Sequence, residues 1–233
     1  MAVIITGATK GIGRAIAYKF AEHGHNIAIC ARNQDDLIAM GKDLLSKYDV
    51  RVMSDVCDVS NPDEVKRFGS VVVDSFDDEQ IILVNNAGVF LPGELSQEAE
   101  GTLERMIETN LYSAYNLTRA LLPTIIKNGK GHIFNMCSVA SKIAYPNGGS
   151  YSISKFALLG FTKVLREELK SSGVKVTAIL PGATWSDSWS GVDLPHDRLM
   201  EAQDIADAVY ATYALGPSAV VEEIVLRPLL GDL

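Results

Sequence analysis

The sequence AVIITGATKGIG, residues 2–13, decides how this chain is expected to fold. It starts with the apolar run Ala2–Ile5 and passes directly into a turn with three glycines, and an amphipathic pattern follows from Arg14 to His23. Glycine lets backbone approach a pyrophosphate closely, and the N-terminus of the next helix favours negative charge. Three glycines could also make only a tight connection. In this order of strand, turn and helix they predict a dinucleotide-binding loop, with contacts from Gly7, Thr9, Lys10, Gly11, Ile12 and Gly13.

Further apolar runs recur along the chain and are separated by helical patterns. Continuous apolar runs, rather than alternating ones, suit strands buried on both faces of a parallel sheet. No internal repeat or linker-like stretch divides the sequence. We therefore predict an α/β fold, a single-domain doubly wound Rossmann fold over residues 1–233, with a seven-stranded parallel sheet flanked by helices. The predicted strands are Ala2–Thr6, Asn26–Cys30, Arg51–Val56, Ile81–Val84, His132–Met136, Val174–Leu180 and Ala219–Leu226.

The end of the second predicted strand indicates which dinucleotide is bound. Sites for NAD place an acidic side chain about twenty residues beyond the glycines, where it holds the ribose 2′-hydroxyl. This chain has Ala31-Arg32-Asn33 there, without a carboxylate. Arg32, with Lys10 in the loop, is suited to a 2′-phosphate. The alternative is that both cations are solvated surface charges. We predict NADP(H).

A second motif, Tyr151-Ser152-Ile153-Ser154-Lys155, lies thirteen residues after Ser138. On a helix, residues four apart share a face, so the Lys155 ammonium is expected near the Tyr151 phenol. A nearby positive charge lowers the pKa of a phenol, which otherwise lies near 10. A tyrosine tuned in this way can exchange a proton with an alcohol or a carbonyl. Most such pairs are ordinary exposed helix residues, so the interpretation depends on the glycine loop upstream.

The chain resembles the short-chain dehydrogenase/reductase family in its compact form, over nearly its whole length. Four features carry the resemblance: Thr6-Gly-x-x-x-Gly-x-Gly13, Asn85-Asn86-Ala87-Gly88, Ser138 and Tyr151-x-x-x-Lys155. The resemblance implies that Tyr151 is the general acid/base and that Lys155 lowers its pKa and holds the nicotinamide ribose. Ser138 would hydrogen-bond the substrate oxygen. Asn110 would keep a proton-relay water.

The resemblance also implies further cofactor contacts. Asp58 and Val59 would lie beside the adenine, Asn86, Ala87 and Gly88 would line the adenosine side, and Pro181 and Gly182 would form the turn next to the nicotinamide. Many members of the family have a threonine four residues beyond this glycine. Here that position is Ser186, with Thr184 two residues earlier. Serine keeps the hydroxyl, so both are included as expected cofactor contacts.

The segment at about 185–200 follows this turn and is the expected substrate lid. It contains Trp185 and Trp189, which would line the substrate pocket, and His196, which we expect to be solvated. Open parallel sheets bind ligands at the carboxyl ends of their strands, where this segment begins. The alternative is that both tryptophans only fill the core or an interface.

The expected reaction is reduction of a ketone or aldehyde by hydride transfer from NADPH. Narrower features, including Pro181-Gly182-Ala183, resemble bacterial sepiapterin-reductase-like and 3-ketoacyl-carrier-protein-reductase-like members. Flat tryptophan walls favour a small carbonyl compound such as a pterin side-chain ketone or a diketone. One alternative is a 3-oxoacyl-[acyl-carrier-protein] reductase. Others are a nucleotide-sugar epimerase or dehydratase, which the chain length disfavours, and a non-enzymatic NADP(H)-sensing protein.

Composition restricts the remaining partners. The formal net charge of −8 argues against nucleic acid and makes an acidic carrier protein harder to recognise. No apolar run approaches a membrane span, and no signal sequence is evident, so a cytoplasmic protein is expected. Three cysteines without metal-ligand spacing predict buried free thiols and no metal site.

The helices Thr102–Lys127 and Tyr151–Lys170 predict a homodimer or homotetramer, because they carry apolar residues beyond one core-facing stripe: Leu111, Tyr112, Tyr115, Phe156, Leu159 and Phe161.

Overall fold

The structure, a computed structural model, describes residues 1–186 and 191–232. Seven parallel strands form one sheet: β1 Ala2–Thr6, β2 Asn26–Ala31, β3 Val52–Val56, β4 Ile81–Asn85, β5 His132–Met136, β6 Lys175–Pro181 and β7 Glu223–Leu226. Their order in the sheet is β3-β2-β1-β4-β5-β6-β7. The helices are α1 Gly11–Glu22, α2 Gln34–Lys47, α3 Pro62–Phe76, α4 Thr102–Ile107, α5 Ser113–Asn128, α6 Gly149–Glu168 and α7 Ala202–Tyr213. The predicted fold class, a helix-flanked parallel sheet of seven strands, is confirmed.

Helices cover both faces of the sheet, which explains the continuous apolar runs in the strands. On one face, α1, α2 and α7 contribute apolar side chains such as Phe20, Leu44 and Val209 to the larger core cluster. On the other face, α3, α5 and α6 pack residues such as Phe68 and Leu121 against the sheet. The central strands are buried from end to end. Every loop that leaves a carboxyl end therefore opens on the same edge of the sheet, where the site is expected.

The last strand and the helix expected over Thr102–Lys127 differ from their predictions in ways that have a structural reason. The last strand is Glu223–Leu226 rather than Ala219–Leu226, because it pairs only with the four residues Ala178–Pro181 at the edge of the sheet. The helix expected over Thr102–Lys127 is interrupted by a π-helical turn, Glu108–Tyr112, between α4 and α5. Within the described residues, no helix has both the length and the apolar character needed to cross a membrane.

Candidate active site

The glycine turn has the shape that a pyrophosphate requires. Gly7 and Gly11 adopt φ values of +63° and +51°, a region in which a side chain is strained. Gly13 belongs to α1, and a Cβ there would lie 2.6 Å from the carbonyl oxygen of Gly7. Gly13 thus lets the helix start pack on the turn instead of facing a ligand. The first turn of α1 carries no acidic residue, which leaves its N–H groups suited to an anion.

The ends of β1 and β4 are joined by the side chains of Thr6 and Asn86. The Thr6 hydroxyl accepts hydrogen bonds from the backbone N–H groups of Asn86, at 3.1 Å, and Ala87, at 3.0 Å. Asn86 Nδ2 in turn donates to the carbonyl oxygens of Thr6 and Gly7, at 2.9 and 3.1 Å. These four bonds fix the glycine turn against the segment that follows β4. The Asn86–Gly88 motif is therefore a brace for the phosphate loop as well as part of the cleft wall.

Arg32 and Asp58 lie at one end of the cleft, after β2 and β3. Burial alone would raise the pKa of the Asp58 carboxyl, but hydrogen bonds from Ser60 and the charge of Arg32 outweigh it and lower the pKa. Ser60 donates to Asp58 Oδ1 through its backbone N–H, at 3.0 Å, and its hydroxyl, at 2.7 Å. Arg32 is exposed to the cleft, as a group that meets a 2′-phosphate must be.

Tyr151 and Ser138 lie at the other end of the cleft. Burial raises the pKa of the Tyr151 phenol above its usual 10, and a hydrogen bond with the Ser138 side chain opposes that rise. The Ser138 hydroxyl also accepts a hydrogen bond from the backbone N–H of Ala140, at 3.1 Å. The ring of Phe90 packs edge-to-face on Tyr151 with centroids 4.9 Å apart. The phenol is therefore protonated at neutral pH in this structure.

The surroundings of Lys155 show that one expectation about the Tyr151–Lys155 pair is wrong. Its ammonium lies 5.8 Å from the centroid of the Tyr151 ring and donates to the carbonyl oxygen of Met136, at 2.8 Å. The side chain is only 5% exposed, and this burial lowers the pKa of Lys155 to about 8. Lys155 therefore shares a helix face with Tyr151 as predicted, but burial of the phenol decides the direction of the pKa shift, which is upward instead of downward.

Asn110 lies in the π-helical turn, under the loop that follows β4. Its Oδ1 accepts from the backbone N–H of Val89, at 2.7 Å, and its Nδ2 donates to the Val89 carbonyl, at 3.0 Å. Nδ2 also donates to the Ser154 hydroxyl, at 2.9 Å, and that hydroxyl donates to the carbonyl of Tyr151. Asn110 thus connects the loop after β4 to α6, the helix that carries Tyr151. Its expected part in a proton relay stays a prediction.

One cleft of about 1220 Å³ brings most of the predicted residues together at the carboxyl ends of the strands. Those that line it are Gly7, Thr9, Lys10, Gly11, Ile12, Arg32, Asp58, Val59, Asn86, Ala87, Gly88, Ser138, Tyr151, Lys155, Pro181, Gly182, Thr184 and Ser186. Gly13 and Asn110 instead support the wall from behind. The volume of the cleft suits a dinucleotide with a small substrate beside it.

Trp185, one of the two expected substrate tryptophans, does not line the cleft. Trp185 stacks on His196, with centroids 6.1 Å apart, and its Nε1 donates to the carbonyl oxygen of the same residue, at 2.8 Å. Its indole ring therefore packs on the 3-10 helical turn His196–Arg198 of its own loop. Trp189 lies outside the described residues, and so does part of the lid expected at about 185–200, which stays a prediction.

Several residues near Tyr151 were not predicted. Tyr145 lines the cleft, and burial, together with the neighbouring Tyr151 and Asp232, raises the pKa of its phenol to about 12. Phe90, Arg227 and Asp232 line the same end. None of them belongs to a motif, because each reaches the cleft through a loop or a chain return that only the tertiary fold defines. Within the described residues, no group of three or more His, Cys, Asp or Glu side chains could hold a metal ion.

Comparison with known proteins agrees with this geometry. Residues 1–194 match the short chain dehydrogenase family, and the chain belongs to that family. Sepiapterin reductase of Chlorobaculum tepidum is 33% identical, over 99% of this chain and 97% of the relative. The 3-oxoacyl-[acyl-carrier-protein] reductase of Staphylococcus epidermidis is 31% identical, over 88% of each chain.

Solved structures identify the cofactor. The alcohol dehydrogenase of the archaeon Thermococcus sibiricus, complexed with 5-hydroxy-NADP, superposes with a TM-score of 0.91 at 29% identity, over 100% of this chain and 98% of that one. Other similar structures also hold NADP or NADPH. The glycine turn and the exposed Arg32 fit that cofactor. The protein is an NADP(H)-dependent oxidoreductase of the short-chain type, and the predicted cofactor is confirmed.

Proposed function

We propose that this enzyme reduces the carbonyl group of a small free ketone or aldehyde to an alcohol. The observation that carries the proposal is the protonated phenol of Tyr151 beside the Ser138 hydroxyl. A phenol that keeps its proton at neutral pH is suited to give that proton to a carbonyl oxygen. NADPH supplies the hydride when bound. The proton that Tyr151 carries supports reduction as the proposed direction.

Each catalytic side chain has one role in the proposal. Tyr151 donates the proton to the carbonyl oxygen, and Ser138 donates a hydrogen bond to the same atom and polarises the carbonyl. Lys155 holds a positive charge next to Tyr151 and provides an N–H donor for the cofactor ribose. Asn110 holds the loop after β4 in place next to Lys155. Gly88 of that loop lies between the two side chains, because a Cβ on Gly88 would be 3.2 Å from Asn110 Oδ1 and 3.5 Å from Lys155 Nζ.

The wall around Tyr151 supports a small, uncharged and partly planar substrate. Phe90 and Tyr145 present aromatic rings there, and Ile143 and Val192 add exposed aliphatic surface. Arg227, which lines this end together with Lys155, is paired with Asp232 at 2.6 Å, so the Arg227–Asp232 pair brings little net charge to the pocket. Such a wall suits a pterin side-chain ketone, a diketone or an aromatic ketone. The rings of Phe90 and Tyr145 thus support this substrate class where Trp185 does not.

A second candidate is the reduction of an acyl-carrier thioester, which the Staphylococcus relative's name indicates for that protein. A net charge of −8 opposes binding of an acidic carrier. Steady-state rates with sepiapterin, diacetyl and an acetoacetyl thioester, each with NADPH, distinguish the two. We expect the free carbonyl compounds to be reduced more efficiently. If the thioester alone is reduced efficiently, with a rate that falls as salt is added, the carrier-protein function replaces ours.

The proposed assembly is a homodimer or homotetramer. Of the helix residues that suggested it, Leu159 is buried, and Leu111 and Phe161 pack against a core cluster, so they give no support. Tyr112, Tyr115 and Phe156 are exposed, as are Ile153 and Val164 on α6. These apolar side chains support a self-association surface on α5 and α6. A cytoplasmic location, also proposed, is supported by Cys30, Cys57 and Cys137, which are all free thiols.

A further inference from the structure

The segment Arg227–Asp232, which follows β7, turns back onto the catalytic edge of the sheet. Asp232 Oδ1 accepts a hydrogen bond from the backbone N–H of Ala183, at 3.0 Å. Its Oδ2 accepts from Arg227 Nε, at 2.6 Å. Both carboxylate oxygens are therefore engaged, one with the turn after β6 and one with the start of the same segment. Arg227 and Asp232 also line the cleft.

The carboxylate fits against the turn so closely that a side chain at Gly182 would displace it. A Cβ on Gly182 would overlap Asp232 Oδ1, and it would also lie 3.3 Å from Pro228 Cδ. The φ of Gly182 is not positive, so the backbone conformation alone does not require glycine there. Gly182 is thus explained by the packing of Asp232.

A second arginine, Arg198, also binds the Arg227–Asp232 segment. Arg198 Nη1 donates to the carbonyl oxygen of Gly231, at 2.8 Å, and Nη2 donates to that of Asp232, at 3.3 Å. The stretch that carries Arg198 is itself held to the turn, because the N–H of Met200 donates to the carbonyl of Ala183, at 3.1 Å. Hydrogen bonds therefore link three segments to one another: the Pro181–Ala183 turn, the stretch that carries Arg198, and Arg227–Asp232.

The position of these three linked segments in the cleft shows which part of the cofactor they can affect. Arg32 and Asp58 mark the adenosine end, after β2 and β3. The strand β6 lies on the opposite side of β1, next to β5, whose Met136 carbonyl binds Lys155. The turn Pro181–Ala183 thus borders the catalytic end, where the nicotinamide must lie for hydride transfer.

We infer that Asp232 is a positioning residue that fixes the Pro181–Ala183 turn against the nicotinamide half of NADP(H). The inference rests on the proposed hydride-transfer site. Without the carboxylate, the N–H of Ala183 loses its acceptor, Arg227 loses its ion-pair partner and the space beside Gly182 empties. The turn then has more than one conformation, and the nicotinamide half binds less tightly, while the adenosine half keeps its contacts with Arg32 and the glycine turn.

Two ligands separate this role from a general loss of structure. NADPH spans the whole cleft, whereas adenosine 2′,5′-bisphosphate contains only the adenosine half with its 2′-phosphate. We expect Asp232→Ala to weaken NADPH binding by about tenfold or more, the size of one lost charge-assisted hydrogen bond. Binding of the bisphosphate should stay within about twofold, since a change of that size is less than half a kcal/mol. Asp232→Asn keeps an oxygen acceptor for Ala183 and loses the charge, so we expect an intermediate effect.

Asp43→Ala is the matched control. Asp43 also accepts from two partners, Tyr18 and Lys47, and lies on α2 outside the cleft. It should leave both affinities unchanged. Titrations followed by NADPH fluorescence and by calorimetry measure binding without turnover. Unchanged NADPH affinity in Asp232→Ala, or an equal loss for both ligands, would overturn the inference. A wild-type protein that binds NADPH but reduces no carbonyl compound would count against the proposed reaction and leave the binding comparison intact.

Discussion

The affinity for NADPH should depend on pH through Lys155, whose pKa lies within the working range. The ordinary lysine pKa is 10.5, and burial lowers the pKa of Lys155 to about 8. This difference corresponds to roughly 3 kcal/mol of cost for charging the buried ammonium. At pH 7 most molecules carry the charge, and at pH 9 only about one in eleven does. A cofactor that contacts the charged form therefore binds about tenfold more weakly at pH 9 than at pH 7.

The groups nearest to Lys155 do not explain such a change. The pKa of Cys137 is raised to about 11 by burial, and that of Tyr151 is raised above 10, so both keep their protons through this range. At the adenine end, a hydrogen bond with Cys30 lowers the pKa of Cys57. A Cys57→Ser background removes that thiol. The measurement is a fluorescence titration with NADPH at several pH values from 7 to 9.5.

The comparison variant is Lys155→Met, which fills the same space without a charge. Its affinity should be lower at pH 7 and flat across the range. A flat profile in the wild type, or the same slope in both proteins, would refute the reasoning. The stability of the protein should change with pH in the opposite direction. Lysine in the unfolded chain keeps its proton up to about pH 10.5, so the unfolded state binds more protons than the folded state between pH 8 and 10.5. The contribution of Lys155 to the free energy of unfolding therefore increases as pH rises through this range.

Three further changes test the remaining parts of the site and the assembly. Tyr151→Phe removes the transferable proton but keeps the ring, so kcat should fall by at least ~10²-fold while NADPH still binds, and near-normal turnover would contradict the assignment. Replacing Arg32 and Lys10 with alanine should weaken NADPH binding by a few kcal/mol, at ~1.5–3 for each charge-assisted contact, and leave NADH nearly unaffected. A wild-type preference for NADH would exclude that role. Light scattering at micromolar concentration should show a dimer or tetramer that Phe156→Glu dissociates, and a monomeric wild type would disprove the surface.

Local patterns are sufficient to predict the sheet and the cofactor end of the site. The continuous apolar runs mark six of the seven strands to within a residue, because strands covered on both faces leave little room for polar side chains. The glycine loop and Arg32 are also local, since they depend on backbone conformation and on the end of one strand. The edge strand β7 is the exception, because only the second half of the predicted run pairs with β6 as a strand.

The substrate end depends on contacts between distant parts of the chain. Tyr145 and Asp232 meet near Tyr151 although 87 residues separate them along the chain. Trp185 turns away because its indole N–H finds a backbone acceptor at His196, eleven residues later. The pKa of Tyr151 is likewise decided by burial, which spacing along a helix does not reveal. Motifs therefore predict the chemistry better than they predict the pocket that selects the substrate.

The π-helical turn Glu108–Tyr112 gives the enzyme an unusual sensitivity to the length of one segment. A π-helical turn contains an extra residue, and residues in a helix follow one another at about 100° of rotation. Removing a single residue from 108–112 would allow one regular helix from α4 through α5. The deletion would also rotate the side chains of α4 about the helix axis relative to those of α5. Asn110 would leave Val89, and exposed Tyr112 and Tyr115 would face a different direction from Leu103. A one-residue deletion there would thus uncouple the catalytic loop and the surface of α5 in a single step, although a substitution at the same positions would disturb only one of them.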